Sequence, residues 1–488
     1  MIKKINFKNF FLAALIIITG ILAGILFKTY NSRVPFFSEN TENSLDENIQ
    51  ITEERSGAIA NAVNKVSSAV VSIKTYCNKS NPNLNLYRKF FERFFGVEPF
   101  EKNRERISLG SGAIISDKGY ILTAQHVVEN ADKIEVNLPD GRKFDGKVLG
   151  MDILNDLAII KINGDNLPVI KMGNSDNLQS GEWVIAFGNP FGLMVQDPQP
   201  TVTVGVISAK MRTITVEDTN RCFNKIYGVI QTDASINPGN SGGPLVDAGG
   251  NLVGINNSIF STSGGSQGIG FAIPINSAKK SIEDIIKYGE VKRAWLNLKI
   301  QDIPYSVKEK YNLKNHHGVI VTEIGENSNA AAAGLEKGDI ITEFNSLFVK
   351  NRKWWQGYLV RLSPAKKVNL KVWDGKEEKI VSFYPKEYNL DNYLESLGIV
   401  KIKNLTYQET LDYNLRNEKG LIIKKIRNNS LVSNKKIKEN DVIRMVENCK
   451  IHTKKDLNEI LLKHLYENHI RMVIERNGYL YKIEMDLL

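Results

Sequence analysis

A chain of 488 residues exceeds what one hydrophobic core organises and predicts roughly two to four domains. With 42% hydrophobic and 24% charged residues it is neither largely disordered nor a many-spanning membrane protein. The net charge of +10 comes from lysines scattered along the chain rather than gathered in a stripe, which excludes a nucleic-acid-binding reading and leaves a solvated basic surface.

The N-terminus opens with Lys3, Lys4 and Lys8 ahead of an apolar run from Phe10 to Phe27. A run of that length nearly spans a hydrocarbon core, and the preceding positive charge orients it with the N-terminus inside. A cleaved signal peptide, with an apolar core of about 7–15 residues and an Ala-x-Ala-like site, is the competing expectation. Both export the remainder. Residues 1–33 are therefore expected to form an uncleaved anchor or signal segment, a membrane contact in the first case. Residues 34–56, polar and acidic (Glu39, Glu42, Asp46, Glu47, Glu53, Glu54), form a tether too poor in apolar groups to fold alone.

From 57 to 289, short β-branched and apolar runs alternate with Gly, Asn and Asp turns, the cadence of an all-β domain of antiparallel strands. Strands are expected at Ala69–Ile73, Ser111–Ile115, Tyr120–Thr123, Leu157–Ile162 and Trp183–Phe187. His126 follows the third in Thr-Ala-Gln-His, and is the only histidine before residue 316, hence the one candidate base of this domain. Asp156 leads directly into the fourth. A carboxylate there is costly to bury without a donor, and an imidazole N–H is a suitable one. Ser241 sits in Gly239-Asn240-Ser241-Gly242-Gly243, where glycines allow the backbone turn that aims the Gly239 and Ser241 amides at an oxyanion. Gly-x-Ser-Gly-Gly alone is equally compatible with a turn. The order His, Asp, Ser is that of the chymotrypsin-type triad.

Cys77, Cys222 and Cys449 are too few and too scattered for a disulfide scaffold or a thiolate metal site, and no metal or other cofactor is expected. Free thiols are the default, with a Cys77–Cys222 bond within the 57–289 domain as the one pairing considered.

Beyond residue 290 two blocks recur 102 residues apart: Gly318–Ile324 resembles Gly420–Ile426, and Leu335–Ile341 resembles Ile437–Ile443. Each reads as strand, short helix, tight turn at Gly338 or Asn440, strand, and longer helix. Two domains are placed at 290–387 and 391–488, similar to PDZ modules, which bind extended peptides, often C-terminal ones, by strand addition.

The triad motifs, with Phe90–Gly96, Gly110-Ser111-Gly112, Gly188–Gly192, Thr201–Ser208 and Gly268–Pro274, resemble the HtrA/Deg family over nearly the whole chain beyond the tether. The resemblance implies a mainly β chain: a chymotrypsin-like double β-barrel followed by two α+β PDZ-like domains. It implies an ATP-independent endopeptidase of the periplasm that degrades unfolded or damaged proteins. His126 is then the general base, Asp156 its orienting partner, and Ser241 the nucleophile. It also implies homo-oligomers built from trimers, with Phe90–Phe95 a regulatory loop reaching a neighbouring subunit. The alternative is a holding chaperone or scaffold with a latent protease domain. Ser235, six residues before the nucleophile, and Ile236 mark the primary pocket, whose lack of an acid points away from Lys or Arg substrates. Two departures stand out: Trp295-Leu296-Asn297-Leu298 has Asn297 where the family's carboxylate-binding loop has glycine, and Lys436 replaces the counterpart of Gly334. Trp354, Trp355 and Tyr358 read as core packing or, alternatively, a groove lining.

Overall fold

The computed structural model describes residues 18–23, 57–77, 106–189, 199–217, 222–237, 239–259, 266–311, 317–325 and 328–487. Most of the expected anchor, the tether and the aromatic stretch Phe90–Phe95 lie outside them. Residues 18–23 are helical, and among the described residues no helix is long and apolar enough to cross a membrane.

Two closed barrels follow. The first joins β1 (Val70–Cys77), β2 (Arg106–Ile114), β3 (Tyr120–Ala124), β4 (Lys133–Asn137), β5 (Lys143–Asp152) and β6 (Leu157–Lys161) in the order β1-β2-β3-β6-β5-β4. The second joins β7 (Trp183–Gly188), β8 (Thr201–Glu217), β9 (Phe223–Thr232), β10 (Pro244–Asp247), β11 (Leu252–Ile259) and β12 (Gly270–Pro274) in the order β10-β11-β12-β9-β8-β7. Closure pairs every strand on both sides, which is how runs such as Leu157-Ala158-Ile159-Ile160 come to be fully buried. Helix α1 (residues 57–66) buries Ala62 and Val66, one turn apart, on this core. The four-residue helix α2 (Gln125–Val128) carries His126, and α3 (Ile275–Tyr288) buries Ile275, Ala278, Ile282 and Ile285 before Gly289 ends it in the left-handed region at φ 78°.

Two further units repeat one another in their main sheets. The first has β13 (Ala294–Trp295) paired with β20 (Lys386–Glu387), and a sheet β14-β15-β16-β18-β19 with β17 on β16; the ranges are β14 Leu298–Asp302, β15 Val319–Ile324, β16 Ile340–Phe344, β17 Leu347–Phe348, β18 Val368–Trp373 and β19 Glu378–Phe383. Its helices are α4 (Tyr305–Lys310), α5 (Asn329–Ala332) and α6 (Arg352–Leu359). After α7 (Leu390–Leu397), the second unit repeats the path as β21-β22-β23-β25-β26, with β24 (Cys449–Lys450) on β23, and helices α8 (Tyr407–Asp412), α9 (Leu431–Asn434) and α10 (Lys454–Lys463). Strands β21 to β23 are Ile399–Asn404, Leu421–Ile426 and Val442–Val446; β25 and β26 are His469–Arg476 and Tyr479–Asp486. The turn residues Gly338 and Asn440 have φ 99° and 68°. Lys436 adopts φ 62° in place of Gly334, so the motif survives loss of the glycine at a backbone cost of about 1 kcal/mol.

The two units and a corner of the second barrel share one apolar cluster, in which Met211, Cys222 and Tyr227 pack with Trp295, Trp355, Tyr466 and Cys449. Gly357 of α6 lies so close to Gly228 of β9 that a Cβ on Gly228 would stand 3.1 Å from the Gly357 Cα. This docking corrects the cysteine expectation. Cys222 is bonded to Cys449 of the second unit, with Cα atoms 5.2 Å apart across 227 residues of sequence. The sequence favoured free thiols, with Cys77 the possible partner of Cys222, whereas the bond is set by the packing of a distant module. Trp355 and Tyr358 are buried, with Tyr358 stacked on Phe344 and its hydroxyl donating to the Phe348 carbonyl, while half-buried Trp354 faces the second barrel near Met211.

Candidate active site

The three candidate residues come from three elements at the junction of the barrels. Asp156 adopts φ 52° just before β6, and its carbonyl and carboxylate both turn toward α2. The Gln125 amide donates to its carbonyl at 3.1 Å and the His126 amide to Oδ1 at 2.9 Å. Oδ2 lies 2.6 Å from His126 Nδ1. The imidazole is thus fixed through backbone and ring together, with Nε2 the ring nitrogen not engaged by Asp156; the side chain remains 35% exposed. Burial pushes the imidazole pKa down, but the charge and hydrogen bond of Asp156, with Glu129 adding to them, outweigh it and hold the value above 6.5.

The nucleophile loop is clamped from the other barrel by Ser111, a fully buried residue of β2. Its amide donates to the Ser241 carbonyl at 2.9 Å, its hydroxyl donates to the Gly239 carbonyl at 2.5 Å, and the same hydroxyl accepts from the Asn189 amide at 2.8 Å. Thr123 donates to the Ser111 carbonyl at 2.7 Å. Within the loop, the Asn240, Gly242 and Gly243 amides donate to the carbonyls of Asn237, Asn256 and Asn240. Among the described residues, the Gly239 and Ser241 amides have no acceptor. Gly239 and Gly242 stand at φ 101° and 83°, and a Cβ at Gly242 would come within 2.2 Å of Thr123 Oγ1 and 2.3 Å of the Ser111 carbonyl.

Asn257 of β11 ties the two halves together. Its Nδ2 donates to Asp156 Oδ2 at 2.5 Å, and its carbonyl accepts the Ser241 hydroxyl at 3.1 Å. Sequence reasoning overlooked Ser111 and Asn257. A signal for the second was present: Asn256-Asn257 interrupts the otherwise apolar strand Leu252-Val253-Gly254-Ile255, and polar residues buried in mid-strand must have partners. Asn256 uses its Nδ2 to bond the Phe187 and Pro244 carbonyls.

Of the pocket residues, Ser235 is half-buried and its carbonyl accepts from Thr203 at 2.8 Å, whereas Ile236 packs in the second barrel's interior with Ile230 and Leu245. Trp295, Leu296, Asn297 and Leu298 lie together at the entrance to β14, and Asn297 takes φ 52°, the conformation a glycine would supply. Among the described residues no cluster of His, Cys, Asp or Glu could hold a metal ion.

Two closed six-stranded barrels with a Ser, a His and an Asp at their junction define a trypsin-like serine peptidase, here carrying PDZ-type units. Comparison with known proteins agrees: residues 110–255 match the trypsin-like peptidase domain model and residues 302–382 the PDZ domain model. A probable periplasmic serine endoprotease, DegP-like, of Chlamydia pneumoniae is 37% identical over 87% of this chain and 88% of its own length. A probable periplasmic serine protease do/HhoA-like of Haemophilus influenzae is 35% identical over 84% and 88%. The solved HtrA-type protease AlgW with tripeptide is 35% identical and superposes with a TM-score of 0.50, covering 68% of this chain and 97% of that one. The chain belongs to the HtrA family of DegP-like serine endoproteases.

Proposed function

We propose that the chain is an ATP-independent endopeptidase of the periplasm that cleaves unfolded or damaged proteins through His126, Asp156 and Ser241. The observation that carries this reading is the 2.6 Å contact of Asp156 with His126 Nδ1, which leaves Nε2 as the base, on the same polar network that holds Ser241. In the reaction the Ser241 hydroxyl exchanges its bond to the Asn257 carbonyl for one to His126 Nε2. Oγ attacks the peptide carbonyl, the proton passes to the imidazole, and Asp156 stabilises the cation so formed. The unengaged Gly239 and Ser241 amides suit the developing oxyanion. The protonated imidazole then serves the leaving amine, and water repeats the sequence on the acyl-enzyme.

The periplasmic assignment draws on the relatives' names and on the apolar segment Phe10–Phe27, which exports the body whether it is retained as an anchor or removed. The PDZ-type units are assigned to peptide capture, with C-terminal peptides as the ligand class, and to assembly of trimers. The reading divides the chain into a protease domain over 57–289 and PDZ-type units over 290–387 and 391–488.

Cleavage of reduced casein by the chain and by its Ser241→Ala variant tests the core of the reading. Turnover should fall by about three orders of magnitude or more in the variant. Equal cleavage by both would place the activity elsewhere, and labelling of Ser241 by a fluorophosphonate at full rate in His126→Ala would remove the base from His126.

A further inference from the structure

The first PDZ-type unit has the groove its fold provides, between the edge of β14, which among the described residues pairs only with β15, and helix α6. That groove is filled by the chain itself. The turn between α10 and β25 of the second unit, Leu465–Asn468, lies in it with Trp295, Leu298, Ile300, Trp355 and Leu359 around it, leaving a cavity of about 30 Å³, room for little more than a water or two. Tyr466 and Asn468 each engage one wall: Gln356 of α6 donates to the Tyr466 carbonyl at 2.9 Å, and the Asn468 side-chain amide donates to the Ile300 carbonyl of β14 at 2.8 Å. The second of these is a bond that an added peptide strand would make with its backbone. Between them Glu467 points the other way, to Lys225 at 2.7 Å and Tyr227 at 3.0 Å on the protease strand β9. The Cys222–Cys449 bond joins the same two bodies, at the start of β9 and on β24. Around the filled groove, Trp295 Nε1 and Arg352 Nε are buried donors with no acceptor among the described residues, and the Trp295 residue is 9% exposed. Two such donors suit a carboxylate.

We infer that the first PDZ-type unit is a latched peptide site: Leu465–Asn468 is an internal plug, the Cys222–Cys449 disulfide holds the plug in place, and reduction of that bond by a dithiol admits a peptide with a free C-terminal carboxylate. The inference rests on the peptide-binding reading given above. In the exchange, a thiolate of the dithiol attacks one cysteine sulfur and its second thiol resolves the mixed disulfide. Cys222 and Cys449 end as thiols with the two electrons, and the dithiol leaves as a cyclic disulfide. Both sulfurs are buried, so attack follows transient opening, and a small dithiol acts sooner than a protein one. A plug held in cis lowers apparent affinity by the fraction of time the groove is open. Loss of the covalent tether raises that fraction.

The test uses the full chain carrying Ser241→Ala, to prevent cleavage, and a short fluorescent peptide with an apolar C-terminal residue, beside its amidated form. Anisotropy is read for the oxidised chain, the chain treated with dithiothreitol, Cys449→Ser, and Asn468→Ala combined with Gln356→Ala. Hydrogen exchange of the β14 amides is followed in the same samples. Affinity for the carboxylate peptide should rise about tenfold or more on reduction and in each variant, with faster β14 exchange. Equal, carboxylate-dependent binding by the oxidised and reduced chains would overturn the latch while leaving the peptide-binding reading intact. Absence of binding in every form, with β14 exchange accelerated by reduction, would overturn the peptide reading and the ligand half of this inference with it.

Discussion

Replacing Glu467 by Gln isolates the polar part of the contact between the second PDZ-type unit and the protease strand β9. The Glu467 side chain is 4% exposed. Burial alone would raise its pKa, but bonds from His464, Lys225 and Tyr227 bring it down to about 2 from an ordinary 4.5. A folded value below the unfolded one stabilises the docked state at every pH above about 4.5, and that contribution fades as pH falls toward about 2. The gap of about 2.5 corresponds to on the order of 3 kcal/mol at neutral pH. Glu467→Gln removes this term and also leaves the Tyr227 hydroxyl and Lys225 without their anion. Urea titrations followed by tryptophan emission, in a Cys449→Ser background so that the tether does not mask undocking, should show the variant weaker by roughly 3 kcal/mol near pH 7, with the difference shrinking to under about 1 kcal/mol near pH 2. All other carboxylates titrate alike in both chains, so the difference belongs to Glu467. A difference that stays constant from neutral pH to pH near 2 would refute the reasoning, as would one below about 0.5 kcal/mol throughout.

Asp152→Ala should cost about 3–5 kcal/mol by thermal or urea unfolding, because it strands the buried Arg293 guanidinium that links the first barrel to the first PDZ-type unit, and Asp152→Ala with Arg293→Met should recover part of that loss. Gly242→Ala should abolish casein cleavage and lower stability by about 1–3 kcal/mol, since its Cβ would collide with Thr123 and the Ser111 carbonyl at φ 83°. The acid limb of kcat/KM should fall above pH 6.5, where His126 becomes protonated and ceases to be a base, and in Asp156→Asn the limb should move to lower pH, because the charge that raises the imidazole is gone.

What the sequence displayed follows from the range of the interactions involved. Strands β3, β6 and β7 are written in local runs of apolar residues, and their ends agree with expectation within a residue or so. The repeat at 102 residues shows because homologous units need left-handed backbone at the same points, at Gly338 and Asn440. Asp156 was legible because a carboxylate opening an apolar strand demands a donor, and His126 supplies it. In the sequence Ser111 stands out only as part of a glycine-rich motif; its partners, Gly239 and Ser241, lie about 130 residues away, and no periodicity marks a buried hydroxyl that bridges two barrels. The Cys222–Cys449 pair and the plug at Leu465–Asn468 were invisible for the same reason at module scale. Docking of folded units is decided by surface shape and single polar contacts, and neither leaves a repeat in the chain.

Helix α6 occupies a position of mechanical consequence. One face forms the wall of the peptide groove through Gln356 and Trp355, while Gly357 meets Gly228 on β9 with no side chain between them. Strand β9 ends at Thr232, and Ala234 and Ser235, just beyond it, precede the nucleophile loop; the Thr232 hydroxyl accepts from the Ala234 amide at 3.1 Å and the Ser235 carbonyl is tied to Thr203. Bare backbone contact at the glycine pair transmits displacement without the slack that rotating side chains allow. Any groove ligand with different affinities for two positions of α6 therefore biases β9. Where such a bias operates it is reciprocal: a peptide bound reversibly at Ser241 shifts the affinity of the groove by the same factor by which the groove ligand shifts that peptide's affinity.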